Sequence, residues 1–237
     1  MQQIHHQSRR IYGSPRVWDA LRDRGIRCGR HRVARLMRLH GIRAKTVRRY
    51  KVTTRSRKGQ DIPTDLVQRN FTAVAPDRIW TTDITYIWTR EGWAYLIIFL
   101  DLFSRMIVGW ELGSRLSASL VTEAMKRAIS CRRPEEGLIL HSDRGSQYVS
   151  DEYVELVKEH SFQRSMGRTG SCYDNAVTES FFHTLKTEHI NFFRYESRLD
   201  ARTSIFDYIE TFYNRQRKHS TINNMSPMQY ELTQHLP

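Results

Sequence analysis

Apolar residues recur along this chain with two periods, and the change from one to the other marks its parts. Over the first forty residues the spacing is helical. Ser14-Pro15 makes a helix start, with serine as N-cap and proline at the first helical position. Val17, Trp18 and Leu21 follow at helical spacing, and Gly25 closes the segment. After a short connector, Ile26 to Gly29, the residues Val33, Leu36 and Met37 predict a second helix over about 30–40 that stops at Gly41. Two short helices and a tight turn, with Arg16, Arg30, Arg32, Arg35 and Arg38 outward, predict a helix-turn-helix within residues 1–50. Residues 51–75 lose the periodicity and read as a linker.

From residue 76 strands take over. Apolar runs over about 79–88, 93–101 and 105–112, with turns at Gly92 and Phe103-Ser104, predict a three-stranded antiparallel meander. A helix over 117–130, a strand over 138–142, a helix over 150–160 and a short strand near 162–165 come next. A glycine-containing loop, 166–173, leads to a helix that starts at Asp174 as N-cap and carries Glu179. A last long helix is expected over 198–214, with Leu199, Ile205, Ile209 and Phe212 as its apolar stripe. This order resembles a ribonuclease-H-like core. The expected fold is α/β, a mixed five-stranded sheet with flanking helices, spanning 76–237 with a C-terminal helical tail and preceded by the small helix-turn-helix.

Charge sharpens the division. Residues 1–60 hold 18 Lys+Arg against 2 Asp+Glu, whereas residues 61–237 hold 20 against 23. The whole net charge of +13 therefore belongs to the first quarter, where basic residues interleave with periodic apolar ones. That pattern points to double-stranded DNA or another nucleic acid as partner rather than to a solvated tail. No run approaches the roughly 18 apolar residues of a membrane span, and the start, Met-Gln-Gln-Ile-His-His-Gln, lacks the apolar stretch of a secretion signal. Cys28, Cys131 and Cys172 are odd in number and never in a C-x-x-C, which favours a reducing cytoplasm over a disulfide framework or zinc module. A P-loop is absent, which argues against ATP-driven work.

Three carboxylates stand out against this background. Asp83 lies inside the apolar run Ile79 to Ile87, Asp143 ends Leu138-Ile139-Leu140-His141-Ser142-Asp143, and Glu179 lies on a helix. A carboxylate within an apolar strand is costly unless compensated, by a cation or by the hydroxyls of Thr82 or Thr85. Asp143 sits where an apolar strand breaks into a polar turn, a favoured place for ligands in α/β sheets, although an aspartate there can equally cap its own turn. Helical spacing puts Asn175, His183 and Lys186 on the face of Glu179, with Ala176, Val177, Ser180, Phe181 and Leu185 on the buried side. Acids converging from two strands and a helix suit hard divalent cations and phosphodiester chemistry. In a two-metal scheme, ions about 4 Å apart activate the attacking oxygen and stabilise the leaving one. Lys186 is placed to contact a phosphate. Asp101, ending the second strand, is a rival ligand without a comparable motif.

Several runs carry a family resemblance. Trp80-Thr81-Thr82-Asp83-Ile84-Thr85-Tyr86-Ile87, then His141-Ser142-Asp143-Arg144-Gly145-Ser146-Gln147-Tyr148, then Cys172 to Ala176 and Glu179-Ser180-Phe181-Phe182 resemble the integrase core of bacterial insertion-sequence transposases. The match is to the second-frame product, OrfB, of the IS-three family. Tyr213 to Ser220 and Ser226 to Tyr230 resemble that family's C-terminal signature, and Tyr12-Gly13-Ser14-Pro15-Arg16 the start of its helix-turn-helix. The resemblance implies an acidic triad of Asp83, Asp143 and Glu179, with Lys186 as its basic companion. It implies strand cleavage at an element end dependent on Mg²⁺ (two ions, with Mn²⁺ as the other candidate), then strand transfer by the freed 3′-hydroxyl. It also implies a homo-oligomer on DNA at the bacterial nucleoid, working with the upstream first-frame product or its fusion. The chain opens almost at the helix-turn-helix and holds no heptad run. Two other readings stay in view: a non-catalytic DNA-binding regulator of transposition, and a nuclease that cuts without joining.

Overall fold

The computed structural model describes residues 1–45, 63–167 and 175–234. The Asp174 N-cap, Cys172 and residues 51–62 of the expected linker fall outside these. Five strands form one sheet in the order β3-β2-β1-β4-β5. The strands β1 (Ile79–Thr89), β2 (Gly92–Asp101) and β3 (Ile107–Gly113) make the antiparallel meander. The strands β4 (Ile139–Ser142) and β5 (Gln163–Met166) run parallel to β1 and to each other. Gly92 closes the first hairpin with a φ of +100°, open to glycine and strained for other residues. The third strand starts two residues later than its apolar run because Arg105, at φ 65°, finishes a turn closed by its N–H to the Asp101 carbonyl.

One register detail positions everything that follows. β4 pairs with β1 only over Ile79–Thr81, so beyond Thr81 the flank of β1 is left open. Strand order also reverses direction here, antiparallel to β2 on one side and parallel to β4 on the other. This is the notch in which α/β sheets take ligands.

The helices cover the two faces differently. On one face α4 (Ala118–Arg132) and α5 (Asp151–Glu159) close a core of Trp80, Ile97, Phe99, Val108, Leu120, Val121, Ala124, Met125, Ala128 and Tyr153. On the other lie α6 (Ala176–Glu188) and α7 (Arg198–Phe206), with Phe181, Leu185, Ile205, Ile209 and Phe212 against Leu96, Ile98 and Leu100. The segment after α7 departs from expectation. It continues as a π-helix, Asp207–Tyr213, in which Asn214 N–H reaches the Ile209 carbonyl at 3.0 Å. Leu199 is 72% exposed rather than part of the stripe, because it falls in the first turn after the Ser197 cap.

The N-terminal helices join the second face. The helix-turn-helix pair is α2 (Ser14–Asp23) and α3 (Arg30–Leu39), preceded by an unforeseen α1 (Gln2–Gln7). Ile4, Ile11, Tyr12, Val17, Leu21, Val33 and Met37 belong to the same apolar cluster as the α6–α7 side of the sheet. Polar ties fix the docking: Arg9 to Asp207 at 2.7 Å, and Lys218 to Asp19 and Asp23. Tyr12 Oη donates to the Gln216 carbonyl. Residues 63–75 also lie against the core, with Val67 and Ala73 buried and the Leu66 N–H donating to Ser165 Oγ. The C-terminal signature is structural in this respect. Asn214 brackets the backbone of Ile107 with two 3.0 Å hydrogen bonds, and its carbonyl accepts from Met228 N–H, at the start of α8 (Pro227–Gln234).

Candidate active site

Asp83 projects from β1 just past the last residue that pairs with β4. Its carboxyl is pushed up to about 8, first by burial, then by the charge of Asp143 and more weakly of Glu179. The Ile84 N–H, 2.7 Å from Oδ1, and the Lys186 ammonium pull the other way. The three sequence-singled acids thus act on one point. Asp143, exposed at the end of β4, uses Oδ1 to accept the Gly145 N–H at 2.9 Å. It therefore fills the turn role and the site role together. Although both residues keep an exposed side, the protein around the notch takes water from the carboxyls of Asp143 and Glu179 and raises each. Lys186 is half-buried, its ammonium lowered by burial and 5.2 Å from the Tyr86 ring centroid.

Behind the acids stands a polar clamp that the sequence reading misplaced. Asn175 is buried and faces β1, not the open side of the helix with Glu179 and the exposed His183. Its Oδ1 accepts from Thr81 Oγ1 at 2.6 Å and from Thr178 Oγ1, and its Nδ2 donates to the Thr82 carbonyl at 3.2 Å. Its own carbonyl accepts the Glu179 N–H. Asn175 therefore holds the first turn of α6, and with it Glu179, to the strand that carries Asp83. The signal was the polar trio Thr81, Thr82 and Thr178 at positions where a strand and a helix should be apolar. The buried side of α6 is also revised: Thr178 and Phe182 are inside, and Ser180 is exposed. Tyr148, fully buried below the notch, places Oη 3.3 Å from Thr82 Oγ1 and stays protonated beside the two aspartates.

Asp101 belongs elsewhere. It is fully buried, accepts the N–H groups of Asp77 and Phe103, and lies 3.8 Å from Arg132, which also pairs with Asp77 and Glu231. Its hydrogen bonds make it a structural acid.

The chemistry of the donor set fits a hard cation. All three groups are carboxylates; burial raises each, and at Asp83 the charges of Asp143 and Glu179 add to it, so a cation relieves them. Among the described residues no three His, Cys, Asp or Glu side chains are grouped closely enough to hold a metal ion by themselves.

The basic residues of the N-terminal helices divide into two kinds. Arg30, Arg32 and Arg35 are exposed, Arg30 lying over the Trp18 ring at 4.3 Å. Arg16 does not point outward as expected. It is half-buried, 3.7 Å from Glu188 and over the Tyr12 ring, because α2 turns that face to the core. Among the described residues no helix is long and apolar enough to cross a membrane.

Comparison with known proteins identifies the family and the fold. Family models described as integrase core domains match residues 73–172 and 179–236, and one described as an HTH-like domain matches residues 1–50. The transposase for insertion sequence element IS904 of Lactococcus lactis is 42% identical over 229 residues, 96% of this chain and 90% of that protein. Transposase InsF for insertion sequence IS3A of Escherichia coli is 40% identical over 224 residues, 94% of this chain and 78% of that one. A 31 kDa protein of insertion element IS600 from Shigella sonnei is 39% identical over 231 residues, with 98% and 85% covered. Among solved structures, a simian T-cell lymphotropic virus intasome chain superposes with a TM-score of 0.59 at 15% identity, over 99% of this chain and 74% of that one. The HTLV-2 integrase catalytic core domain in complex with magnesium gives 0.53 at 18%, over 67% and 98%. The fold is ribonuclease-H-like, with an integrase core behind a helix-turn-helix, and the chain belongs to the IS3 family of insertion-sequence transposases.

Proposed function

We propose that Asp83, Asp143 and Glu179 are the acidic triad of a DNA strand-cleaving and strand-joining centre that works with divalent cations. The observation that carries this is the convergence of three acids from β1, β4 and α6 on the open notch of the sheet, where Asp83 is raised to about 8. Cations held there, two Mg²⁺ by this reading with Mn²⁺ able to substitute, supply the charge that activates an attacking oxygen and stabilises a leaving one. In cleavage, water attacks the scissile phosphorus and the P–O3′ bond breaks, leaving a 3′-hydroxyl and a 5′-phosphate. In transfer, that 3′-hydroxyl attacks a second phosphodiester and displaces its 3′-oxygen. The chain's own work is positioning. Asn175 sets Glu179 against β1, Lys186 meets a phosphate oxygen, and Arg30, Arg32 and Arg35 engage double-stranded DNA.

The same reading takes residues 1–50 as the DNA-binding module and 76–237 as the catalytic unit. The active form is an oligomer on element-end and target DNA in the bacterial cytoplasm, assembled with the upstream first-frame product or as its fusion. A pre-cleaved element end, incubated with the chain and Mg²⁺ or Mn²⁺, is expected to give joined strands on a denaturing gel. Asp83→Asn, Asp143→Asn and Glu179→Gln should abolish joining while DNA affinity stays within a few-fold. Joining that survives in one variant removes that residue from the triad. Absence of joining by both the wild-type chain and its fusion would sink the catalytic reading in favour of a DNA-binding regulator.

A further inference from the structure

The outer half of the β1–β2 hairpin carries a cluster of aromatic rings in water. Tyr86, Trp88 and Trp93 are 43%, 59% and 46% exposed. Trp93 packs edge-on against both neighbours, its centroid 5.1 Å from that of Tyr86 and 4.9 Å from that of Trp88. Tyr86 and Trp88 are two residues apart on β1 and so share a face, and Trp88 is paired across the hairpin with Trp93. Contiguous exposed apolar surface of this kind marks a contact site more often than a lone exposed ring does.

Its position says what the contact is. The rings stand on the strand that carries Asp83, roughly 10 Å (Tyr86) and roughly 17 Å (Trp88) further along. By the alternation of the strand they face the α4–α5 side and Asp83 the α6 side, and the flank of β1 that β4 leaves open connects the two. Lys186 joins the two places, its ammonium near the Tyr86 ring and its charge felt at Asp83. Resting on the proposed function, we infer that Tyr86, Trp88 and Trp93 form a stacking platform for an unpaired nucleobase of the strand whose phosphate occupies the acidic notch. Flat, exposed indole faces beside a cation match an unstacked base and its phosphate, and stacking of this type tolerates any base. A second copy of the chain is a poorer fit. The patch is only three rings wide, and its margin is occupied by the ion pairs Arg90–Glu196 and Glu91–Arg198. A stable protein interface needs about 800 Å² per partner.

The test uses the full chain, without metal, and a short duplex with a single-stranded overhang bearing 2-aminopurine, whose emission falls on stacking. Wild type is expected to quench the probe. Trp88→Ala combined with Trp93→Ala should lose the quench and bind the overhang DNA about tenfold more weakly, with affinity for a blunt duplex unchanged. Trp88→Phe should retain most of the quench. Thermal melts check folding, and if the double variant melts too low, Trp88→Ala alone, at the most exposed position, carries the same reading. Asp83→Asn should quench like wild type, and a wild-type chain that quenches the probe yet joins no strands discredits the triad alone. A quench unchanged in the Trp variants overturns the platform. So does a double variant that keeps the quench but loses self-association in sedimentation, which would make the patch an interface between copies.

Discussion

The two faces of the sheet are closed by different means. The α4–α5 face is built from residues 80–166, consecutive in the chain, and is sealed by apolar side chains such as Phe99, Val121, Met125 and Tyr153. The α6–α7 face gathers three distant segments: the N-terminal helices, the sheet and the C-terminal third. Apolar contact alone does not fix how three such pieces meet. Here polar groups supply the register, with Arg217 and Arg16 on Glu188, Lys218 on Asp19 and Asp23, and Asn175 on β1. The helix carrying Glu179 and Lys186 belongs to this second face. Its placement therefore depends on directional bonds with narrow geometry, whereas the first face tolerates repacking.

The largest expected effect comes from breaking the ion pair at the end of α6. Arg217 Nε and Nη2 each reach a Glu188 oxygen at 2.7 Å, and both side chains are nearly inaccessible to water. Arg217→Ala leaves Glu188 buried with Tyr208 Oη at 2.8 Å and Arg16 at 3.7 Å. The expected loss is about 3–5 kcal/mol, read by urea unfolding. Replacing both partners together, Arg217→Met with Glu188→Gln, should cost clearly less, since the only charge then left without a partner is the more exposed Arg16. Equal losses for the single and double variants would show that shape, not charge, holds this face.

A smaller loss is expected from overfilling the apolar face. Gly109 on β3 lies under α4, and an added Cβ would stand 2.6 Å from Ala128 Cβ and 2.7 Å from the Ala124 carbonyl. Gly109→Ala should therefore cost about 1–3 kcal/mol by forcing α4 away from the sheet. Because α4 packs mainly on β2, β3 and α5, affinity for duplex DNA should stay unchanged. A parallel loss of DNA affinity would mean that the two faces are coupled through the sheet.

This difference also explains what was legible in the sequence. The strands, α4, α5 and the positions of Asp83 and Asp143 follow from period and turn residues, which are local. The π-helix over Asp207–Tyr213 was not legible, since it differs from an α-helix only in hydrogen-bond register, and the Arg9 that pairs with its first residue lies nearly two hundred residues away. Arg16 read as an outward cation because its partner Glu188 is remote in sequence. Asn175 read as part of the open face because helical spacing places it there, whereas as the residue before the first turn it has non-helical backbone and points at β1. Glu179 was found by spacing; what holds it was not.

The smallest effect expected tests the site through stability. The Asp83 carboxyl titrates at about 8 in the folded chain against 3.8 when unfolded. Between these values the folded state holds a proton that the unfolded chain has released. The contribution is thus fully present below about pH 4 and is lost as pH rises through 8. Asp83→Asn removes this penalty, and its side-chain oxygen can still accept the Ile84 N–H. Without metal, the variant should melt above wild type at pH 9, and the gap should close toward pH 4. Added Mg²⁺ should raise the melting temperature of wild type and not that of the variant, because a ligand stabilises only the form that binds it. A gap that is the same at pH 9 and pH 4 would mean that Asp83 carries no unrelieved charge, and the α6 face would then have to be read as structure alone.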